Sequence, residues 1–219
     1  MKVPDSWTFK DKNVANEFDK HVREQLPWYE IVQELVAHTA LLYMPEGGRV
    51  YDIGASTGNL SNKLREKIEA RRIEWVSIDN AKEMAENFRG VGELTICDAT
   101  RYAYKRHNLS ILFLSLMFLP VSERGPWLRA LYDRIKPGGA LIIVDKQEPD
   151  GGNLQTEMHR FVMRCKVLTG TPAEDILKKE FSLTGIQNPL PRDFFDEYKN
   201  VTEIFRLGDF AAWVIEKRI

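Results

Sequence analysis

The amino-acid sequence predicts an α/β fold, a doubly wound and mostly parallel sheet with helices on both faces. Three observations carry the prediction. Short apolar runs alternate with helix-like segments between Arg49 and Val144, the rhythm of βα units feeding a parallel sheet. Three successive runs end in or beside an acid, Asp52, Asp79 and Asp98. The most apolar run, residues 109–117, comes fourth, and a strand without polar alternation belongs mid-sheet, buried on both faces.

Two helices are expected ahead of this alternation. Residues 9–25 place Val14, Phe18 and Val22 at helical spacing, and residues 28–43 do so with Ile31, Val32, Leu35 and Val36. Pro27 separates the two and suits a first helical turn. Pro45-Glu46-Gly47-Gly48 then turns the chain. Strands are expected at residues 49–53, 73–78, 93–97, 109–117 and 140–144. Helices at 59–71, 81–88 and 122–135 fill the intervals, and Lys136-Pro137-Gly138-Gly139 reads as a tight turn. After Asp150-Gly151-Gly152 the rhythm breaks. Helical patterns follow at 154–169, 172–181 and 192–198, then two strands at 201–207 and 210–215 around Gly208-Asp209, which suit an antiparallel edge pair. Residues 1–219 thus read as a single domain, with an N-terminal helical cover over 1–45 and a helical insertion or lid over 150–200.

Composition narrows the function class. A chain of 219 residues holds one sizeable core. Its formal net charge of -1 is not that of a nonspecific polyanion binder. Cys97 and Cys165 make no disulfide framework, and the opening residues do not read as a signal peptide, so a cytoplasmic location is expected. The apolar run 109–121 is broken by Ser115 and Pro120 and is too short for a bilayer; no membrane partner is expected.

The strongest motif is Val50-Tyr51-Asp52-Ile53-Gly54-Ala55-Ser56-Thr57-Gly58. Ligands of doubly wound sheets bind at the carboxyl ends of the strands, where helix N-termini also point. Gly54 and Gly58 let the backbone approach a ligand where a side chain would collide. The spacing is not G-x-G-x-x-G, which disfavours a dehydrogenase. Asp79, followed by Asn80, can accept both hydroxyls of a ribose, and Asp98, followed by Ala99, suits an adenine amino group. An acid at a strand end is ordinarily a helix cap, but three at consecutive strand ends form a pattern.

Together these residues resemble the class I S-adenosylmethionine-dependent methyltransferases, which implies a Rossmann-like sheet and S-adenosylmethionine as cofactor. Within that superfamily the chain is more closely similar to the carboxy-S-adenosylmethionine synthases, which make the carboxymethyl donor for tRNA wobble-uridine modification. The carriers include Asn13-Val14-Ala15, Pro27-Trp28-Tyr29, the glycine loop, Ile78-Asp79-Asn80, Ser122-Glu123-Arg124, Pro137-Gly138-Gly139 and Met158-His159. The resemblance implies cofactor contacts from Tyr29, Gly54, Ala55, Ser56, Asp79, Asn80, Asp98 and Ala99. Asp52, Gly58 and Ser115 complete the candidate set. Two positions depart from the synthase pattern. Phe113 stands where those enzymes carry Asn, and Glu180 stands where they carry the Arg that pairs with the extra carboxylate. Methyl transfer to an undetermined acceptor, a small molecule or part of a tRNA pathway, is therefore the first reading. Synthase-like chemistry is the second, and a non-catalytic adenosyl-binding subunit the third. A homodimer is left open.

No universal catalytic residue is expected, since such transfer rests on aligning the acceptor with the sulfonium methyl. The stretch Leu114-Ser115-Leu116-Met117 lacks the Asp/Asn-Pro-Pro-Tyr/Phe pattern of amine methylation, and no Pro-Cys occurs for a nucleophilic cysteine. Cys97 reads as a small core residue. The histidines are scattered, so no metal site is expected, and His159 alone is placed over the crevice. Arg101, Lys105 and Arg106 with Tyr102 and Tyr104 suit a surface loop or a nucleic-acid contact. Trp28, Tyr29, Phe194, Phe195 and Tyr198 suit either a lid lining or the core.

Overall fold

Period-two burial along the strands organises the molecule, a computed structural model that describes residues 6–218. The parallel strands β1 (Arg49–Ile53), β2 (Glu74–Asp79), β3 (Leu94–Ile96) and β4 (His107–Phe113) are followed by β5 (Ile135–Lys146), and β6 (Val201–Leu207) and β7 (Phe210–Lys217) close the sheet. The order is β3-β2-β1-β4-β5-β7-β6, with β7 antiparallel to both neighbours. The apolar run expected at the centre is there. β4 pairs β1 and β5, and Leu109, Ile111 and Leu112 are fully buried.

Alternate residues of each strand feed two cores. Val50, Leu109, Ile111, Ile142 and Val214 face Val32, Val36, Leu60 and Ile68, which come from α2 (Tyr29–Ala40), α3 (Asn59–Lys63) and α4 (Arg65–Ala70). Tyr51, Ile53, Leu112, Ile143 and Trp213 face Leu128 and Leu131 on the other side, from α5 (Val121–Asp133). The N-terminal cover begins with α1 (Lys12–Gln25), where Asp11 accepts hydrogen bonds from the Asn13 and Val14 amides as the N-cap. The insertion carries α6 (Gly152–Leu168) and α7 (Ala173–Ser182).

Several sequence expectations are corrected. The helix over 59–71 is two, α3 and α4, broken at Leu64. Residues 82–87 form a 3-10 turn, too polar and too short for a stable α-helix. The fourth strand stops at Phe113, because Leu114 adopts φ 56° and residues 116–118 coil into another 3-10 turn. Lys136 to Gly139 belong to the start of β5, looped out where the register jumps from His107–Ile135 to Leu109–Ala140. Residues 192–198 form turns rather than a helix. Phe195 and Tyr198 there are buried, the Phe195 ring tilted against Trp213 at 4.9 Å, so they belong to the core. Trp28 likewise packs on Phe205 and Phe210. Among the described residues no helix is long and apolar enough to cross a membrane, and no group of His, Cys, Asp or Glu could hold a metal ion.

Candidate functional site

The carboxyl ends of β1, β2, β3 and β4 open into a crevice of about 300 Å³. Its floor is the glycine loop after β1. Gly54 sits at φ 76°, and a Cβ there would lie 2.6 Å from the Ser115 Cβ. Only glycine serves at that point, because the left-handed backbone and the close approach both exclude a side chain. Ser56 follows at φ 52°, a left-handed backbone that a non-glycine residue holds only when neighbours enforce it. The enforcing neighbour is Asp79, whose Oδ2 accepts from the Ser56 amide at 2.9 Å. Its Oδ1 accepts from the Ala81 amide at 2.9 Å. Asp79 therefore clamps the loop as well as facing the crevice.

Of the sequence candidates, Tyr29, Asp52, Gly54, Ala55, Ser56, Asp79, Asn80, Asp98, Ala99 and Ser115 all line the crevice. Gly58 does not. It sits at φ 80° with Gly90 and Phe88 where a Cβ would go, 2.6 Å away, so it serves close packing behind the loop. Asp98 has only Oδ2 left to offer a ligand, since its Oδ1 accepts from both the Thr100 amide and the Thr100 hydroxyl. These bonds hold its carboxyl below the usual range. Cys97 packs against the core as expected and also lines the crevice, and burial raises its thiol pKa, which disfavours a thiolate nucleophile.

Two polar atoms at this wall lack partners. Asp52 Oδ2 and Ser115 Oγ are buried with no hydrogen bond. Burial, then the nearby Asp79 charge, pushes Asp52 up to about 7. A wall with orphaned acceptors, a hydroxyl and a glycine cradle fits a ligand rich in hydroxyl and amino donors, as the adenosyl and amino-acid halves of S-adenosylmethionine are.

Sequence reasoning missed the roof. Phe9 and Phe18 of the N-terminal segment line the crevice, and so do Gln33 and Phe113. Phe113 meets the Tyr29 ring edge-on at 5.4 Å, filling with an aromatic pair the place where the synthases carry Asn. Helix α1 is fixed over the loop through Asp19, whose Oδ1 accepts from Thr57 Oγ1 and from Asn59 Nδ2, each at 2.7 Å. The signal available in the sequence was the aromatic spacing of Phe9 and Phe18, which reads equally as core.

A second chamber, about 100 Å³, adjoins the first. Phe9, Phe18, Leu114 and Phe118 line both. Its other walls come from α1, α6, α7 and the β6–β7 turn, and His159, expected over the crevice, lines this chamber instead. Glu180 is there too, but its carboxylate is not a bare charge. Lys166 Nζ donates to its Oε1 at 2.6 Å, and despite burial the Lys166 ammonium keeps the carboxyl below its usual range. An acid in place of the Arg would repel an anionic ligand if it were bare, but this one is neutralised by its partner.

Comparison with known proteins places this geometry. No protein-family model matches the chain. Human N-acetylserotonin methyltransferase in complex with SAM superposes on 96% of the chain and 58% of its own length, with TM-score 0.61 and 13% identity. The plantazolicin methyltransferase in complex with SAH covers 94% of the chain and 90% of its own, with TM-score 0.60 and 10% identity. The fold is that of the class I methyltransferases.

Sequence relatives narrow the class. The carboxy-S-adenosyl-L-methionine synthase of Staphylococcus epidermidis is 30% identical over 215 residues, 96% of this chain and 92% of the relative. That of Wolinella succinogenes is 28% identical over 94% of the chain and 92% of its own length. The chain belongs to the carboxy-S-adenosyl-L-methionine synthase family.

Proposed function

We propose that the crevice holds S-adenosylmethionine and that the second chamber seats a small acceptor for its methyl group. The observation carrying this reading is the pair of chambers sharing Phe9, Phe18, Leu114 and Phe118, one shaped for a nucleoside and one separate from it. Asp79 and Asp98 would take the ribose and the adenine amine, and Asp52, Ser115 and the glycine loop the remainder. When bound, the cofactor supplies an electrophilic methyl on a sulfonium. The chain's own part is alignment and exclusion of water by the apolar walls, which carries much of the rate in such transfers. In this reading residues 150–200 act as a lid within a single domain, and the enzyme works in the cytoplasm.

The second reading, synthase chemistry on a carboxylated donor, is favoured by Lys146, Lys166 and Lys179 lining the acceptor chamber. Against it stand Phe113 in place of Asn and Glu180 in place of Arg, since an Arg fork binds both carboxylate oxygens and neither substitute does. Mass spectrometry of the small molecule released on denaturing the purified protein decides between them. S-adenosylmethionine or its demethylated product is expected, and the carboxylated form would overturn the first reading.

A further inference from the structure

The second chamber contains a lysine that no carboxylate pairs. Lys166 is committed to Glu180, and Lys146 Nζ lies 3.4 Å from Gln187 Oε1. Lys179, one turn before the end of α7, makes its hydrogen bond to His21 Nε2 of α1 at 2.5 Å. Its Nζ also lies 4.1 Å from the centre of the Trp7 ring, on which the His21 imidazole stacks. With Lys179 as donor, His21 Nε2 accepts and the ring proton sits on Nδ1. The remaining walls are largely aromatic or aliphatic, and the space is below the usual range for a ligand pocket, room for about one ring.

We propose that Lys179, positioned by His21, is the proton acceptor for a one-ring aromatic hydroxyl that receives the methyl group. This rests on the proposed function of the two chambers. The acceptor's O–H proton passes to the free amine of Lys179 as the oxygen's electron pair forms the new O–CH3 bond. The S–CH3 bond breaks with its pair remaining on sulfur, and the lysine proton then leaves to solvent. A lysine can serve this way only as a neutral amine. Burial, then the Lys166 charge, lowers Lys179 to about 7, with Glu180 opposing. His21 is lowered to about 3 by burial first and Lys179 second, so it stays neutral. The other charged or titratable groups facing the chamber are Lys146, His159 and Asp209.

The test incubates the full chain with methyl-labelled S-adenosylmethionine and three one-ring probes, phenol, aniline and benzoate. Anisole from phenol is expected, with kcat rising through about pH 7. Lys179→Met should lower kcat by about 100-fold or more while leaving the calorimetric affinity for S-adenosylmethionine unchanged. Lys179→Arg should fail to rescue, because a guanidinium stays protonated. His21→Asn should shift the pH profile. Absence of anisole, methyl benzoate as the product, or full activity in Lys179→Arg would each overturn the proposal. Should the wild-type chain show no affinity for S-adenosylmethionine, the two-chamber reading itself falls with it. If Lys179→Met does not fold, the Arg and His21 variants decide alone.

Discussion

Asp79→Ala tests the cofactor crevice most directly. Two of the carboxylate's roughly four acceptor sites are taken by the Ser56 and Ala81 amides. In the proposed function the remaining acceptor capacity, which the Asn80 amide also approaches, takes the ribose hydroxyls. A hydrogen bond to a charged group contributes about 1.5–3 kcal/mol, so losing both ribose contacts costs about 3–6 kcal/mol of binding. That corresponds to a weakening of about 10²–10⁴-fold in Kd. The loop pays separately. Ser56 is held at φ 52° by the same carboxylate, and its freed amide can reach water in the open crevice, so the fold itself loses less than the ligand does. Asp79→Asn keeps one acceptor oxygen and should fall between, near half the effect. Isothermal titration of S-adenosylmethionine into each variant, with a thermal melt alongside, separates the two costs. An Ala variant that melts like wild type and binds within about twofold of it would refute the assignment of Asp79 to the ribose.

Two further outcomes follow from the same wall. Gly54→Ala forces a side chain onto a left-handed backbone 2.6 Å from the Ser115 Cβ; strain and overpacking together should cost about 2–4 kcal/mol, read as a lowered melting temperature and lost cofactor affinity, and an unchanged melt would contradict the geometry. Asp52 titrates at about 7 when folded against 3.8 in the free side chain, so the folded state binds the extra proton and the stability it contributes is present at acid pH and lost as pH rises through 7. Asp145, buried and likewise raised to about 7, adds a parallel loss. The melting temperature of Asp52→Asn should therefore gain on wild type between about pH 5 and pH 7, and parallel curves would show that Asp52 is ionised throughout.

The βα rhythm was legible because each strand buries alternate residues in two different cores, so Val50 and Tyr51 or Ile142 and Ile143 had to be apolar together. β1 begins and ends at the expected residues for that reason; β6, an edge strand with no buried residue, also keeps the expected bounds. Elements set by long-range packing were not legible. Residues 192–198 carry aromatics at helical spacing, yet Phe195 and Tyr198 are there to meet Trp213 and Tyr132 across the chain. The strand-end residues of the crevice were readable because βα connections place them at one edge of the sheet. Gly58 shared their signature and served the packing of Gly90 instead. The second chamber left almost no local trace. Glu180 reads as a lone acid beside two lysines until Lys166, 14 residues away, turns out to be its partner. The pairing of Lys179 with His21 spans 158 residues.

The two chambers divide the gene as well as the molecule. Every residue lining the cofactor crevice lies between Phe9 and Glu123, whereas the second chamber draws on the segments 7–26 and 114–118 and then on 146–210. The antiparallel turn of β7 is what permits this, because it returns the last hairpin to the end of β5, where Phe210 pairs Lys146. A crossover in the stretch between Glu123 and Lys146 would hand a descendant a new acceptor half while leaving the donor half intact. Helix α1, the four shared wall residues, Trp7, Leu26 and Met117 and the pairing of β4 with β5 would have to suit both parents.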